Sequence, residues 1–289
     1  MSSSLTSSPN RCRHLSSNSR CRGSERAATW QCERLIGNWM AILQTEARGA
    51  VLVAQFNHAN THNPMSMELE NAIRSICGET EDNPAIRALV LTGGNDRSFC
   101  AGGDFNEVAQ ISGGGAIEAL IDRLIDFYSA ILKVTKPTVA AVGGYAIGVG
   151  FQVALSCDWR VGSPATKLLM WELKHGIACT IGGYMLESFV GRAAMSDLIY
   201  GCEAAPISWA ADQKLLHEVV DSSNLVEKAI TRAQILSEFP EITFRRTKET
   251  VNRRFVAGLH AIAPEAKEAH VASTATSAVQ QHLKRVLRH

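Results

Sequence analysis

The stretch GGYAIGVGFQVALSCDWR, Gly143–Arg160, decides the reading of the chain. Glycines crowd its first eight residues, and an apolar helical pattern follows. Just before it, TVAAV (Thr138–Val142) is a β-branched apolar run that reads as a short buried strand. Glycines between a strand and a helix leave backbone N–H groups without Cβ cover. The start of a helix adds partial positive charge in the same place. The one polar side chain near that start is a neutral amide, Gln152, where an acid or base would be the usual instrument of proton transfer.

The same arrangement occurs once upstream. IRALVLT (Ile86–Thr92) reads as a buried strand ended by Gly93-Gly94, and SFCAGGDFNE (Ser98–Glu107) follows as a second glycine turn. Two N–H donors converging on one point make an oxyanion hole. The glycines alone are equally those of tight turns. Neither turn matches G-x-x-x-x-G-K-[ST], and GYAIGVG departs from G-x-G-x-x-G, so a nucleotide loop is set aside.

Working outward, Ala50–Phe56 reads as a strand, His58–Pro64 as a turn cluster and Met65–Cys77 as a helix. Ala116–Val134 reads as a long amphipathic helix stopped by Lys136-Pro137, and Asp158–Val161 and Lys167–Met170 as two further strands. From Ile181 the pattern is mostly helical, with breaks at Gly191, Pro206, Pro240 and Pro264. Strands alternating with helices imply an α/β fold with a largely parallel sheet.

Composition narrows the function classes. With 29 basic and 28 acidic residues the net charge is +1, which excludes a strongly basic nucleic-acid-binding face. No apolar run reaches the ~18 residues of a membrane span. Eight cysteines without a C-x-x-C pair read as reduced thiols of a cytoplasmic protein. Residues 1–48 are Ser- and Arg-rich, and their first acid is Glu25. They read as a disordered or non-native extension, with an organelle transit peptide or an upstream start before Met40 as the other readings. The expected division is 1–48 extension, 49–243 core and 244–289 C-terminal helical region.

SFCAGGDFNE, then KPTVAAVGGYAIGVGFQVALSCDWR, then WELKHG and a further Gly-Gly together resemble the crotonase (enoyl-CoA hydratase/isomerase) superfamily, from about Ala50 to the C-terminus. AGGDFNEV, GYAIG-x-GFQ, ELKHGI-x-C and TK-x-x-VN look like its carboxymethylproline synthase branch. The resemblance implies a spiral of ββα units with a C-terminal helical trimerisation region, assembled as a homotrimer or hexamer. It implies an acyl-CoA thioester as substrate, no separate cofactor and no metal. Oxyanion donors carry over to the N–H groups of Gly103 and Val149, where the branch has Met at the second position. The acid positions of a hydratase map to Gln152 and Glu172, and a late helix carries His270. Coenzyme A contacts are expected at Ala101, Gly102, Lys248 and Arg253, with solvated surface charge as the other reading of Lys248, Arg253 and Arg254. Leu120 and Trp171 depart from the branch, which has Trp and Pro there.

The amide points to a particular chemistry. Hydrating an enoyl thioester moves protons at two carbons and uses two carboxylates, whereas Gln152 exchanges none. Loss of CO2 from malonyl-CoA needs no base and leaves an enolate. A glutamate at 152 would repel the malonyl carboxylate by about 4 kcal/mol at ~4 Å and an effective dielectric of 20; an amide avoids this. The resemblance then suggests pyrroline-5-carboxylate as the electrophile, oriented by Glu172, with His270 on a substrate carboxylate. The alternatives are an enoyl-CoA hydratase or isomerase, a thioester decarboxylase or hydrolase, and a non-catalytic acyl-CoA-binding protein. Of the remaining candidates, Asp104 reads as a helix cap, Cys100 and Cys179 as packing, and His58 with His62 as turn residues without a third metal ligand.

Overall fold

The computed structural model describes residues 42–274. Five strands, β2 (Val51–Phe56), β3 (Ala88–Thr92), β4 (Thr138–Val142), β6 (Trp159–Gly162) and β8 (Glu218–Val219), pair in parallel in that order. β1 (Leu43–Arg48) closes the edge by pairing antiparallel with β2. A second, two-stranded parallel sheet holds β5 (Tyr145–Ile147) and β7 (Lys167–Leu169).

Consecutive strands therefore part company. β4 runs in the large sheet and β5 in the small one; β6 and β7 do the same. Isolated bridges carry the small sheet back toward the N-terminus, Cys100 pairing with Ala146 and Met65 with Gly103. Each turn of the chain thus lays down one strand in the large sheet, an extended segment in the small layer and a helix. This is the expected spiral of ββα units.

Period-2 alternation explains the core. Leu52, Ala54, Phe56, Leu89, Leu91, Ala140 and Val142 face the larger cluster. It is filled by α1 (Met67–Asp82), α3 (Gly114–Lys133), α4 (Val149–Ser156) and α5 (Thr180–Gly201). The intervening residues, Val51, Val53, Ala88, Val90, Val139, Ala141 and Val161, face Leu225, Ala229, Ile230 and Ala233 of α7 (Leu225–Ser237). The strands are apolar on both faces, as parallel sheets covered by helices require.

Two expectations are corrected. β1 lies inside the 1–48 segment that was set apart, so the folded body starts by Leu43. Its sequence LQTEAR reads as polar because an edge strand is covered on only one side. In the C-terminal helical region, α8 (Glu241–Ala261) is pinned to the sheet by a Lys248–Asp158 ion pair of 2.6 Å. Finally, β5 sits within the glycine cluster itself. Residues 1–41 and 275–289, including the basic end with Lys284, Arg285 and Arg288, lie outside the described residues. No helix among those described is long and apolar enough to cross a membrane.

The expected helix breaks are present. Gly191 kinks α5 at φ 77°, Pro206 precedes α6 (Ile207–Asp212), and Pro240 precedes α8. Pro264 sits in the first turn of α9 (Ala263–Thr274), where a missing N–H costs nothing.

Candidate active site

The two glycine turns lie side by side. Cys100 N–H donates to Tyr145 O at 3.0 Å, and Ile147 N–H donates to Cys100 O at 2.9 Å. A Cβ on Gly150 would sit 2.2 Å from Cys100 O, so only glycine allows the helix start to approach the first turn this closely. Gly103 and Val149 follow these contacts by a few residues. Among the described residues, neither of their N–H groups meets an acceptor. Val149 is the first residue of α4, so its N–H is one that the helix itself leaves unbonded. Both donors stay available on adjoining segments, as an oxyanion hole needs.

Ala101 and Gly102 complete the first turn. Ala101 N–H is committed to His62 O at 2.9 Å, and Gly102 O accepts Met65 N–H at 2.7 Å. Asp104 caps α2 (Phe105–Val108), accepting from Asn106 N–H at 2.8 Å.

The acid comes from a third segment. β7 ends at Leu169, whose carbonyl accepts Gly148 N–H at 2.9 Å, and the chain then enters a 3₁₀ turn at Glu172–His175. Glu172 is thereby set against the second glycine turn. A Cβ at Gly148, whose φ is 51°, would stand 3.1 Å from Glu172 Oε1. The same oxygen accepts Gln152 Nε2 at 3.0 Å. Gln152 itself is buried, and its amide also lies 3.9 Å from Met170 Sδ. Glu172 Oε2 is buried and has no hydrogen-bond partner among the described residues.

Burial pushes the Glu172 carboxyl above its ordinary range, and hydrogen bonds from its own backbone, Cys179 and Gln152 oppose the shift. Cys179, just before α5, is pushed well above the usual thiol range by burial and by the neighbouring carboxylate. The shift favours the thiol over the thiolate, which makes Cys179 a poor nucleophile. Cys100 is buried and pushed up to about 12. Both thiols fit the packing role expected of them, and Cys179 adds a contact with the acid that spacing did not reveal.

Other candidates fall elsewhere. Lys248 does not face coenzyme A: its ammonium is buried against Asp158 Oδ2 and Lys136 O, at 2.6 and 2.9 Å. Neither a phosphate contact nor a solvated charge describes it. Arg253 is exposed on α8. His270, on α9, donates from Nδ1 to Ala266 O at 2.7 Å, and burial lowers its pKa. With Nδ1 committed to that carbonyl, Nε2 is the ring nitrogen left for a ligand. α9 does reach the site region, since Ser273 Oγ accepts Ala178 N–H at 3.3 Å. Leu120 is half-buried on α3, and Trp171 is tied back to Cys202 O at 2.9 Å. His62 bonds Ser98 Oγ at 2.9 Å, and His58 Nδ1 accepts Asn60 N–H. Among the described residues no three metal-ligating side chains gather.

A ββα spiral whose glycine turns present unbonded N–H groups beside a shielded carboxyl defines the crotonase class, enzymes of acyl-CoA thioesters. The chain belongs to the enoyl-CoA hydratase/isomerase family, whose profile matches residues 46–286. It is 42% identical over 237 residues to a carboxymethylproline synthase of Pectobacterium carotovorum, covering 82% of this chain and 95% of that one. It is 30% identical to a probable enoyl-CoA hydratase of Mycobacterium bovis, covering 72% and 79%. Among solved structures it is similar to ThnE from S. clavuligerus, with TM-score 0.67, 34% identity and coverage of 78% and 100%. An enoyl-CoA hydratase/isomerase from Mycobacterium paratuberculosis shares the fold, with TM-score 0.77 at 21% identity and coverage of 86% and 100%.

Proposed function

We propose that the chain is a carbon–carbon bond-forming synthase that decarboxylates malonyl-CoA and adds the resulting enolate to pyrroline-5-carboxylate, giving a carboxymethylproline as its coenzyme A thioester, from which hydrolysis by water releases the amino acid and coenzyme A. The observation that carries this reading is the Gln152–Glu172 pair: one acid hydrogen-bonded to one amide where hydration would call for two acids. The similarity to a carboxymethylproline synthase supports it.

In this reading the thioester oxygen lies between the N–H groups of Gly103 and Val149. The C–CO2 bond breaks, and its electron pair passes to the α-carbon and thioester oxygen. Each well-aimed donor stabilises that developing charge by about 3–4 kcal/mol. Gln152 tolerates the departing carboxylate. The α-carbon then bonds to the imine carbon of the electrophile, and the ring nitrogen retains the proton of the iminium. Glu172 orients that nitrogen as a counter-charge.

Mass spectrometry of products from malonyl-CoA, with and without pyrroline-5-carboxylate, tests the proposal. A new amino-acid thioester only in the presence of the electrophile is the expected result. Acetyl-CoA alone in both samples reduces the activity to decarboxylation. Unchanged malonyl-CoA with tight coenzyme A binding marks a binding protein. Crotonyl-CoA turnover at a true hydratase's rate overturns the reading of Gln152.

A homotrimer or hexamer belongs to the same proposal. Phe239, Ile242 and Val251, at the start of α8 and along it, are 52%, 62% and 65% exposed in the single chain. These exposed apolar side chains are the support for it.

A further inference from the structure

Two side chains that flank Glu172 end on one carbonyl. Trp171 Nε1–H donates to Cys202 O at 2.9 Å, and Lys174 Nζ donates to the same oxygen at 2.8 Å. The Lys174 ammonium also lies 5.2 Å from the centre of the Trp171 ring. The 3₁₀ turn explains how they meet. With three residues per turn, positions 171 and 174 stack on one face. Glu172, one position on, is rotated away from that face, toward Gly148 and Gln152.

The acceptor is fixed from its own side. Cys202 is the buried C-cap of α5, at φ 49° and ψ 38°, a left-handed conformation that few residues other than glycine adopt. Its carbonyl is one that a helix end leaves unbonded. Ala205 N–H donates to Leu168 O at 3.1 Å, which ties the chain just after α5 to β7, the strand that leads into the turn. The turn has less to hold it. It has four residues and no side-chain cap, and its first backbone bond, from His175 N–H to Trp171 O, is 3.3 Å long. Lys174 is exposed, and an exposed lysine ordinarily keeps its ammonium in water. Here the ammonium turns back onto the carbonyl. Proline, which the carboxymethylproline synthase branch has at 171, would fix φ at about −65°. Trp171 has φ −101°, so in this chain side-chain donors hold the turn instead.

We propose that Trp171 and Lys174 are positioning residues for Glu172: together they clamp its turn to Cys202 O and so hold the carboxyl against Gln152 and the second glycine turn. Both act through Glu172. The inference rests on Glu172 being the working acid, as proposed above, and on nothing about the electrophile. Capping of α5 by itself would show in stability alone, whereas a clamp on the turn shows in the titration of the carboxyl and in turnover.

Three variants of the full chain test the clamp. Trp171→Phe removes the indole donor, Lys174→Met removes the ammonium, and Lys174→Arg keeps a charged donor. Glu172 is followed by NMR titration of its ¹³C-labelled carboxyl, the resonance being assigned by its loss in Glu172→Gln. Burial holds the pKa of this carboxyl up, and a loosened turn lets water reach it. The midpoint therefore drops by about half a pH unit or more in Trp171→Phe and Lys174→Met, while Lys174→Arg stays at the parent value. Loss of the lysine charge by itself would move the midpoint the other way. With malonyl-CoA, kcat falls about tenfold in the first two variants at unchanged KM, and Lys174→Arg recovers it. Midpoints at the parent value in both Trp171→Phe and Lys174→Met overturn the proposal, and a lower melting temperature alone then marks the two bonds as a helix cap. Should Trp171→Phe not fold, the exposed Lys174 still carries the test. If the parent chain leaves malonyl-CoA unchanged, the proposed reaction fails while the titration still decides the clamp.

Discussion

Gln152 and Glu172 set the chemistry at the scale of single residues. Gln152→Glu places a second carboxylate about 3 Å from the first and close to the malonyl anion. The resulting repulsion of about 4 kcal/mol corresponds to roughly a thousandfold loss of malonyl-CoA turnover. Crotonyl-CoA hydration rises in the same variant, and steady-state assays with both thioesters check the exchange. The raised pKa of Glu172 has two consequences. In the proposed reaction its ionised form orients the electrophile, so activity is expected to fall as pH drops through a midpoint above the ordinary carboxylate value of 4.5. Stability runs the other way: between 4.5 and the folded-state value the folded chain holds the extra proton, so stability decreases as pH rises across that window. Glu172→Gln accordingly melts at a higher temperature than the parent at pH 8, and the difference vanishes below pH 4.5. Both residues were legible because they stand in contiguous motifs. Lys248 was misread because its partner, Asp158, is 90 positions away and local spacing says nothing of it.

The glycine turns are the elements that make the site. Gly150→Ala drives a Cβ into the Cys100 carbonyl, a backbone atom that cannot swing aside. The expected cost is about 1–3 kcal/mol, read as a lower denaturant midpoint. Activity falls further than stability, because the two N–H donors are pushed apart. The order of strands and helices was readable from apolar runs bounded by glycine and proline, as at Val51–Phe56 and Thr138–Val142. Three elements escaped for separate reasons. β5 has three residues and β8 has two, too short for any period to register, and β1 carries the polar face of an edge. The pairing of Cys100 with Ala146 joins residues distant in sequence, so the meeting of the turns was legible only through the family resemblance.

At the scale of the whole molecule, a buried ion pair ties the C-terminal helices to the sheet. Asp158 accepts Lys248 Nζ at 2.6 Å and also holds the start of β4 through Thr138 N–H and Oγ1. Lys248→Met leaves that carboxylate without its cation. The chain loses about 3–5 kcal/mol of stability, seen by denaturant unfolding, while KM for the acyl-CoA stays unchanged. A coenzyme A ligand would give the opposite pattern. The proposed reaction turns on an enolate held by the N–H groups of Gly103 and Val149. Malonyl-CoA incubated with the chain in D2O, without an electrophile and quenched early, tests it most directly. Acetyl-CoA carrying one deuterium in its methyl group is the expected product, and free coenzyme A with malonate, or untouched malonyl-CoA, would rule the enolate out.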